Sequence, residues 1–316
     1  MTRLFKWEKL KQLNILICLL SALLLAGCGG QQADGKVDLP DYQEEYVNVK
    51  IPGLTENYTF LLVADLHIVE GMGDVSEDKL QEVQLRKMAF VNDKGVSSED
   101  QWKELPDTLN SVKADGILFG GDMIDYASTA NIEMLGEGLK QLESPFMYVR
   151  ADHDYGTWYG SLSDEEVRGM QEELDHTPSV IKWEYDQFII LGIDNNTSQI
   201  SAEMLEEIKS IFAIGKPIIL LTHVPFNSLV DDSLDAQSKA AWGDRNLTWG
   251  DNCYYVADAN TREFMDLIFD ENSPVVEILS GHLHFTWDGY INDKVHQHVF
   301  SAAYQDAIGV VTITGE

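Results

Sequence analysis

The chain has 316 residues, 44% of them apolar and 24% charged, so it is long enough and apolar enough to bury a substantial core. Its formal charge of -31 argues against a nucleic-acid polymer as partner, because a phosphate backbone is held by Lys and Arg. A strongly negative surface bears on solubility and association, not on the fold.

The amino terminus is a separate object. Arg3, Lys6, Lys9 and Lys11 make a basic start, and an apolar run from Ile15 to Ala26 follows, broken at Ser21. The run is shorter than the roughly 20 apolar residues of a membrane-spanning helix, and its layout is that of a secretory signal. It ends in Leu25-Ala26-Gly27-Cys28, which resembles the lipobox of bacterial lipoproteins. That resemblance implies a signal peptide over 1–27, acylation of Cys28 and a position on the extracytoplasmic face of a bacterial membrane. Each buried CH₂ of an acyl chain contributes about 0.8 kcal/mol, which would hold an acidic body that an anionic lipid surface repels. Residues 28–50 read as a flexible tether and 51–316 as the folded domain. Cys18 would leave with the signal and Cys28 would be acylated, so Cys253 stands alone and no internal disulfide is expected.

Along the folded part, short apolar runs predict strands over 58–64, 116–119, 146–149, 188–193, 217–221, 275–279 and 309–313. They are nearly continuous in apolar residues, as strands covered on both faces are. Helical patterns lie between them over 76–91, 131–142, 163–174, 201–211 and 258–269, with Ser76 and Ser201 as candidate caps. Such alternation favours a layered α/β fold. Residues 224–257 read as a loop insertion carrying Trp242, Trp249, Tyr254 and Tyr255; a loop this long is usually functional, and a substrate-side cap is the favoured reading.

Five Asp/His segments each follow a strand-like run: Asp65-Leu66-His67, Gly121-Asp122 through Asp125, Asp152-His153-Asp154, His223, and Gly281-His282-Leu283-His284. Sites in open α/β sheets form at the carboxyl ends of strands. Carboxylates and imidazoles are the ligands of Zn, Mn and Fe in mixed N/O sites. Alternate residues of an extended segment share a face, so Asp-x-His and His-x-His aim two ligands one way. Two cations about 3.5–4 Å apart clamp both oxygens of an in-line displacement and acidify a shared water into a hydroxide nucleophile. Five of the eight histidines fall in these segments. His296 and His298 are read as a solvated face.

In order and spacing these motifs resemble the calcineurin-like metallophosphoesterase family over roughly residues 57–313. The resemblance implies a four-layer αββα sandwich of two mixed sheets flanked by helices. It also implies that two divalent ions (Mn, Zn or Fe) are bound. Asp65, His67 and His284 would hold the first ion, Asp122 would bridge, and Asp152, His223 and His282 would hold the second. His153 would face the substrate, with Asp125 orienting it, and Asp154 is read as capping the loop. The implied activity is hydrolysis of a phosphate mono- or diester, either a small molecule or an envelope component. The alternative is a phospho-ligand binding protein with impaired turnover.

The third motif departs from the family's usual G-N-H-D/E, reading Ala151-Asp152-His153-Asp154. A carboxylate at 152 binds cations more strongly than an amide. It lacks the NH₂ donor, however, and repels a phosphate dianion. Arg150 is a candidate to compensate. Trp287 and the aromatic residues of 224–257 are candidates to stack on substrate.

Overall fold

The computed structural model describes residues 37–70, 75–175, 178–194, 199–251 and 253–315. The expected signal peptide, the lipidation site Cys28 and His176 lie outside the described residues.

Among the described residues, eleven strands form two mixed sheets. The first sheet has five strands in the order β1 (Gln43–Ile51), β11 (Ala307–Gly315), β2 (Tyr58–Val63), β3 (Gly116–Phe119) and β4 (Phe146–Tyr148). The second has six, in the order β5 (Val180–Glu184), β6 (Ile189–Ile193), β7 (Ile218–Thr222), β8 (Val275–Ser280), β10 (His296–Val299) and β9 (Trp287–Tyr290). β2, β3 and β4 are mutually parallel, as are β6, β7, β8 and β10, so the carboxyl ends within each set open on one edge.

Alternate side chains of each central strand enter different cores, which is why these strands read as continuous apolar runs. In β2, Phe60 and Leu62 point between the sheets and meet Phe188, Ile190, Ile219 and Leu221 of the opposite side. Leu61 and Val63 point outward, into a layer with Trp102, Leu105 and Leu109 of the helix Ser98–Ser111 and Ile132 and Leu135 of the helix Thr129–Leu139. The second sheet packs outward on the helices Ala202–Phe212 and Ala259–Phe269 through Leu205, Ile208, Phe264 and Ile268. The result is the four-layer sandwich with helices on both outer faces.

Side-chain caps start several helices where orphan N–H groups need acceptors, but Ser76, expected to cap, makes no such bond. Ser201 accepts from Met204 N, Asp258 from Thr261 N, and Ser128 from Asn131 N. The helix Ser98–Ser111, capped by Ser97, escaped the sequence reading. Its apolar face is narrow and Pro106 interrupts it, yet Trp102 is buried and donates Nε1–H to Met134 O at 2.9 Å.

Two boundaries are corrected. The tether does not run to residue 50, because Gln43–Ile51 is an edge strand. Its alternation buries Val47, Val49 and Ile51 against the inter-sheet core while Asn48 and Lys50 face solvent, and Leu39 already packs into the outer layer. The segment 224–257 is not a bare loop: it contains the helix Ser233–Ala241, and Phe226, Leu234 and Trp249 are fully buried. Backbone bridges join Phe226 to Trp249 and Trp249 to Tyr255. His296 and His298 are not a solvated face either. His298 is buried beside Asp288 and Glu45, and His296 pairs with Glu277 at 2.9 Å. Among the described residues, no helix is long and apolar enough to cross a membrane.

Candidate metal centre

The segments after β2, β3 and β4 of one sheet and after β7 and β8 of the other converge. Among the described residues, three trios of ligating atoms are close enough to hold a cation: Asp65, His67 and His284; His67, Asp122 and His153; and Asp122, His223 and His282. The trios interlock through His67 and Asp122. Asp122 Oδ2 lies 3.7 Å from His67 Nε2 and 3.1 Å from His223 Nε2, between the two outer groups.

The backbone bends sharply to achieve this. Asp65, His67, Asp122, His282 and His284 have φ of 56°, 51°, 52°, 73° and 56°, in the left-handed region that residues with a Cβ rarely occupy. Strain of this kind persists where the surroundings over-determine it and clusters at functional sites. Glycine is required beside them. A Cβ on Gly281 would overlap Asp65 Oδ2, and Gly121, at φ 93°, would set one 2.8 Å from His223 Nδ1.

Hydrogen bonds to the far side of each ring assign the imidazole protons. His223 Nδ1 is 2.8 Å from Gly120 O, an acceptor, so Nδ1 carries the proton and Nε2 is free to ligate. His67 Nδ1 is 3.2 Å from Asp125 Oδ1, which leaves its Nε2 for the same task. His153 Nδ1 sits 2.6 Å from Asp125 O and 3.3 Å from Asp125 Oδ1. Asp125 thus serves two histidines, and Arg86 holds it by a fork, Nη2 to Oδ1 at 2.5 Å and Nε to Oδ2 at 2.9 Å.

The donor set fits divalent cations. Asp65 Oδ1 and Asp122 Oδ1 are buried without a hydrogen-bond partner, a costly condition for polar atoms. The imidazole nitrogens of His67 and His284 approach to 3.1 Å, and those of His223 and His282 to 3.2 Å. Tetrahedral ligands about 2.0–2.1 Å from one cation stand roughly 3.3 Å apart.

The electrostatics agree. Burial raises the carboxyl of Asp122, but His223 and His153 outweigh it and hold the group well below its ordinary value. Burial disfavours charge on His223, yet Asp122 and Asp65 push its pKa up to about 10. At His153 burial is likewise outweighed, by Asp122 and the bond to Asp125, and the pKa again rises to about 10. His67 and His282 are driven by burial down to about 4 and about 3. Protons on two histidines thus offset carboxylates that a cation would otherwise neutralise.

Of the seven metal ligands expected from sequence, six enter the trios; Asp152 enters none. It opens the helical turn Asp152–Tyr155, and burial followed by Asp122 raises its carboxyl above the ordinary value. Ala151 at φ -117° is extended, so the turn does not require glycine there. Asp154 accepts from the backbone N–H of Ala151, Asp122, Met123 and Ile124 at 2.8 to 3.3 Å and from Tyr148 Oη at 2.6 Å, so it caps the loop as read. Arg150 does not face the site. It is buried and donates to Gln171 O at 3.0 Å and Asp175 Oδ1 at 2.7 Å.

The aromatic expectations divide. Trp287 is core, 7% exposed, with Nε1–H donated to Ser233 Oγ at 3.0 Å. Trp242 and Tyr255 do reach the centre, 5.4 Å from the His284 ring and 5.3 Å from the His282 ring. Sequence reading missed Trp158, half exposed and edge-on to His153 at 4.8 Å. It also missed Arg86 and Phe90. A single Arg in an amphipathic helix carries no signal that it will meet Asp125.

The family model described as calcineurin-like phosphoesterase matches residues 58–285. A dimetal phosphatase from Danio rerio is similar in fold, with TM-score 0.51 and 11% identity, covering 78% of this chain and 88% of that one. A phosphopantetheinyl hydrolase from Mycobacterium tuberculosis has TM-score 0.39 and 12% identity, covering 78% and 90%. A predicted phosphoesterase from Streptococcus pneumoniae has TM-score 0.29 and 11% identity, covering 79% and 75%. At these identities the likeness concerns fold alone, and it is argued only from the first. No curated protein matches the chain in sequence.

Proposed function

Because the chain belongs to the calcineurin-like phosphoesterase family, we propose that it hydrolyses a phosphate mono- or diester at a dinuclear centre. Asp65, His67 and His284 would hold one divalent ion, Asp152, His223 and His282 the other, and Asp122 would join them. The observation that carries this reading is Asp122 Oδ2 lying between His67 and His223. Two Mn, Zn or Fe ions, when bound, would supply Lewis acidity to the phosphoryl group and lower the pKa of water.

The chain's own residues do the rest. The Gly120 carbonyl and Asp125 hold His223 and His67 in the tautomers that ligate. His153, held by Asp125 at Nδ1, turns Nε2 to the substrate and gives a proton to the departing oxygen. Asp154 stiffens the loops that carry Asp122 and Asp152, which keeps the constellation in place without reorganisation. Among the described residues, Arg86 is the one Lys or Arg that pairs with Asp65, Asp122 or Asp125. The net charge of -31 disfavours a monoester dianion relative to a diester monoanion at low salt.

The test is hydrolysis of aryl phosphate mono- and diesters by metal-loaded protein. The proposal stands if turnover depends on metal and disappears in Asp122→Ala. Failure of the wild type to exceed Asp122→Ala on a broad ester panel sinks it. A second reading, a metal-holding phospho-ligand binder with impaired turnover, is favoured by the absence of Asp152 from the trios. Tight inorganic phosphate binding without hydrolysis would select it.

The lipid anchor is proposed from Leu25-Ala26-Gly27-Cys28. Fatty-acid labelling that survives Cys28→Ala would remove it. The substrate would then be a small or envelope phosphate ester outside the membrane, within reach of a short tether.

A further inference from the structure

Asp125 carries more than one carboxylate ordinarily does. It is fully buried, and its Oδ1 is approached by His67 Nδ1 at 3.2 Å, His153 Nδ1 at 3.3 Å and Arg86 Nη2 at 2.5 Å. A rotation of the carboxylate would take Oδ1 away from His67, while His153 Nδ1 would keep the Asp125 carbonyl oxygen at 2.6 Å. Arg86 prevents this, because its Nε also donates to Oδ2 at 2.9 Å, and a planar fork on both oxygens fixes the carboxylate plane.

Arg86 is itself braced against the same histidine. Its guanidinium lies 4.8 Å over the Phe90 ring. The Phe90 ring stacks on His67 at 4.3 Å with an interplanar angle of 8°. Helix Leu80–Ala89 and its C-cap residue Phe90 thus grip His67 from two sides, through its Nδ1 and through its face. The orientation of His67 matters because its Nε2 faces His284 Nε2 at 3.1 Å, where one trio would take its ion.

We propose that Arg86 is a positioning residue: it locks the Asp125 carboxylate in the orientation that aligns His67 for metal binding. The inference rests on the metal-centre reading above. Loss of the fork frees the Asp125 carboxylate to rotate, and His67 loses the partner that holds its tautomer.

The experiment compares the full-length chain with Arg86→Ala, Arg86→Lys and Leu85→Ala, the last an exposed residue of the same helix. Mn affinity of the metal-stripped proteins is measured by calorimetry, and kcat and KM on an aryl diester are measured after loading. Arg86→Ala is expected to lose about 10- to 100-fold in metal affinity, the usual loss when a partner of a ligating His is disturbed. Its kcat should fall while KM changes little, and added methylguanidinium should restore both affinity and kcat. Arg86→Lys keeps the charge but not the fork, so it should be intermediate; Leu85→Ala should match the wild type. A folded Arg86→Ala with wild-type Mn affinity and kcat overturns the proposal. So does full wild-type behaviour of Arg86→Lys, should Arg86→Ala fail to fold. If the wild type binds Mn but hydrolyses nothing, the phosphoesterase reading fails while the affinity comparison still decides the role of Arg86. A wild type that binds no cation removes both.

Discussion

Asp194 offers a quantitative test of how burial governs this chain. It follows β6, is 3% exposed, and its Oδ1 accepts from Arg150 N at 2.8 Å, beside the loop that carries Asp152. Burial is the main influence on its carboxyl; the Arg150 charge and N–H oppose it, Asp154 and Asp175 add to it, and the pKa rises from 3.8 to about 7. A folded pKa above the unfolded one means that the group's stabilising contribution is full below pH 3.8 and is lost as pH rises through about 7. The gap corresponds to about 4 kcal/mol. Asp194→Asn keeps an acceptor for Arg150 N and stays neutral at every pH. Its NH₂ group needs a partner in the same buried place, which costs about 1–2 kcal/mol. The variant should therefore be more stable than wild type by about 2–3 kcal/mol at pH 8, nearly equal to it at pH 5, where about 1.6 kcal/mol is already lost, and less stable only near pH 3. Urea unfolding followed by tryptophan fluorescence, with both proteins held in chelator, measures this. A difference between the two proteins that is the same at pH 5 and pH 8 would refute the reasoning.

Three further outcomes follow from the centre itself. Mn added to metal-stripped protein at pH 8 should release a proton, because the ligand His223 holds one up to about 10; calorimetry in buffers of different ionisation enthalpy counts it, and zero release contradicts the assignment. Gly281→Ala should lower metal affinity at least about 10-fold, because its Cβ overlaps the Asp65 oxygen that accepts from His282 N; equilibrium dialysis reads the loss. Asp152→Asn should raise kcat/KM several-fold toward a phosphate monoester, by removing a half-buried negative charge beside Asp122 and restoring an NH₂ donor; an unchanged or lower value would show that the carboxylate is needed as a ligand.

Much of the site was legible because its residue types are rare and its spacing is local. Asp65-x-His67 and His282-x-His284 each put two ligands on one short turn, and apolar runs ahead of them marked the strands that aim them. Helices with a Ser or Asp cap and a clear apolar face were found; Ser98–Ser111, with Pro106 inside it, was not. Strand β1 was taken for tether because only three of its nine residues, Val47, Val49 and Ile51, alternate into the inter-sheet core. Trp287 was offered to substrate and went to the core, while Trp158, with no motif around it, stands beside His153.

The sequence by itself marked six of the seven residues whose ligating atoms gather in the trios, and the strands that carry them, since both follow from neighbours along the chain. The tertiary structure decided which charges are paired and which are stranded. Arg86 meets Asp125 across 39 positions, Arg150 turns away to Asp175, and Asp152 stays outside the trios. Those outcomes depend on where two sheets and their helices bury each group, and the price of an unpaired charge is set by that burial.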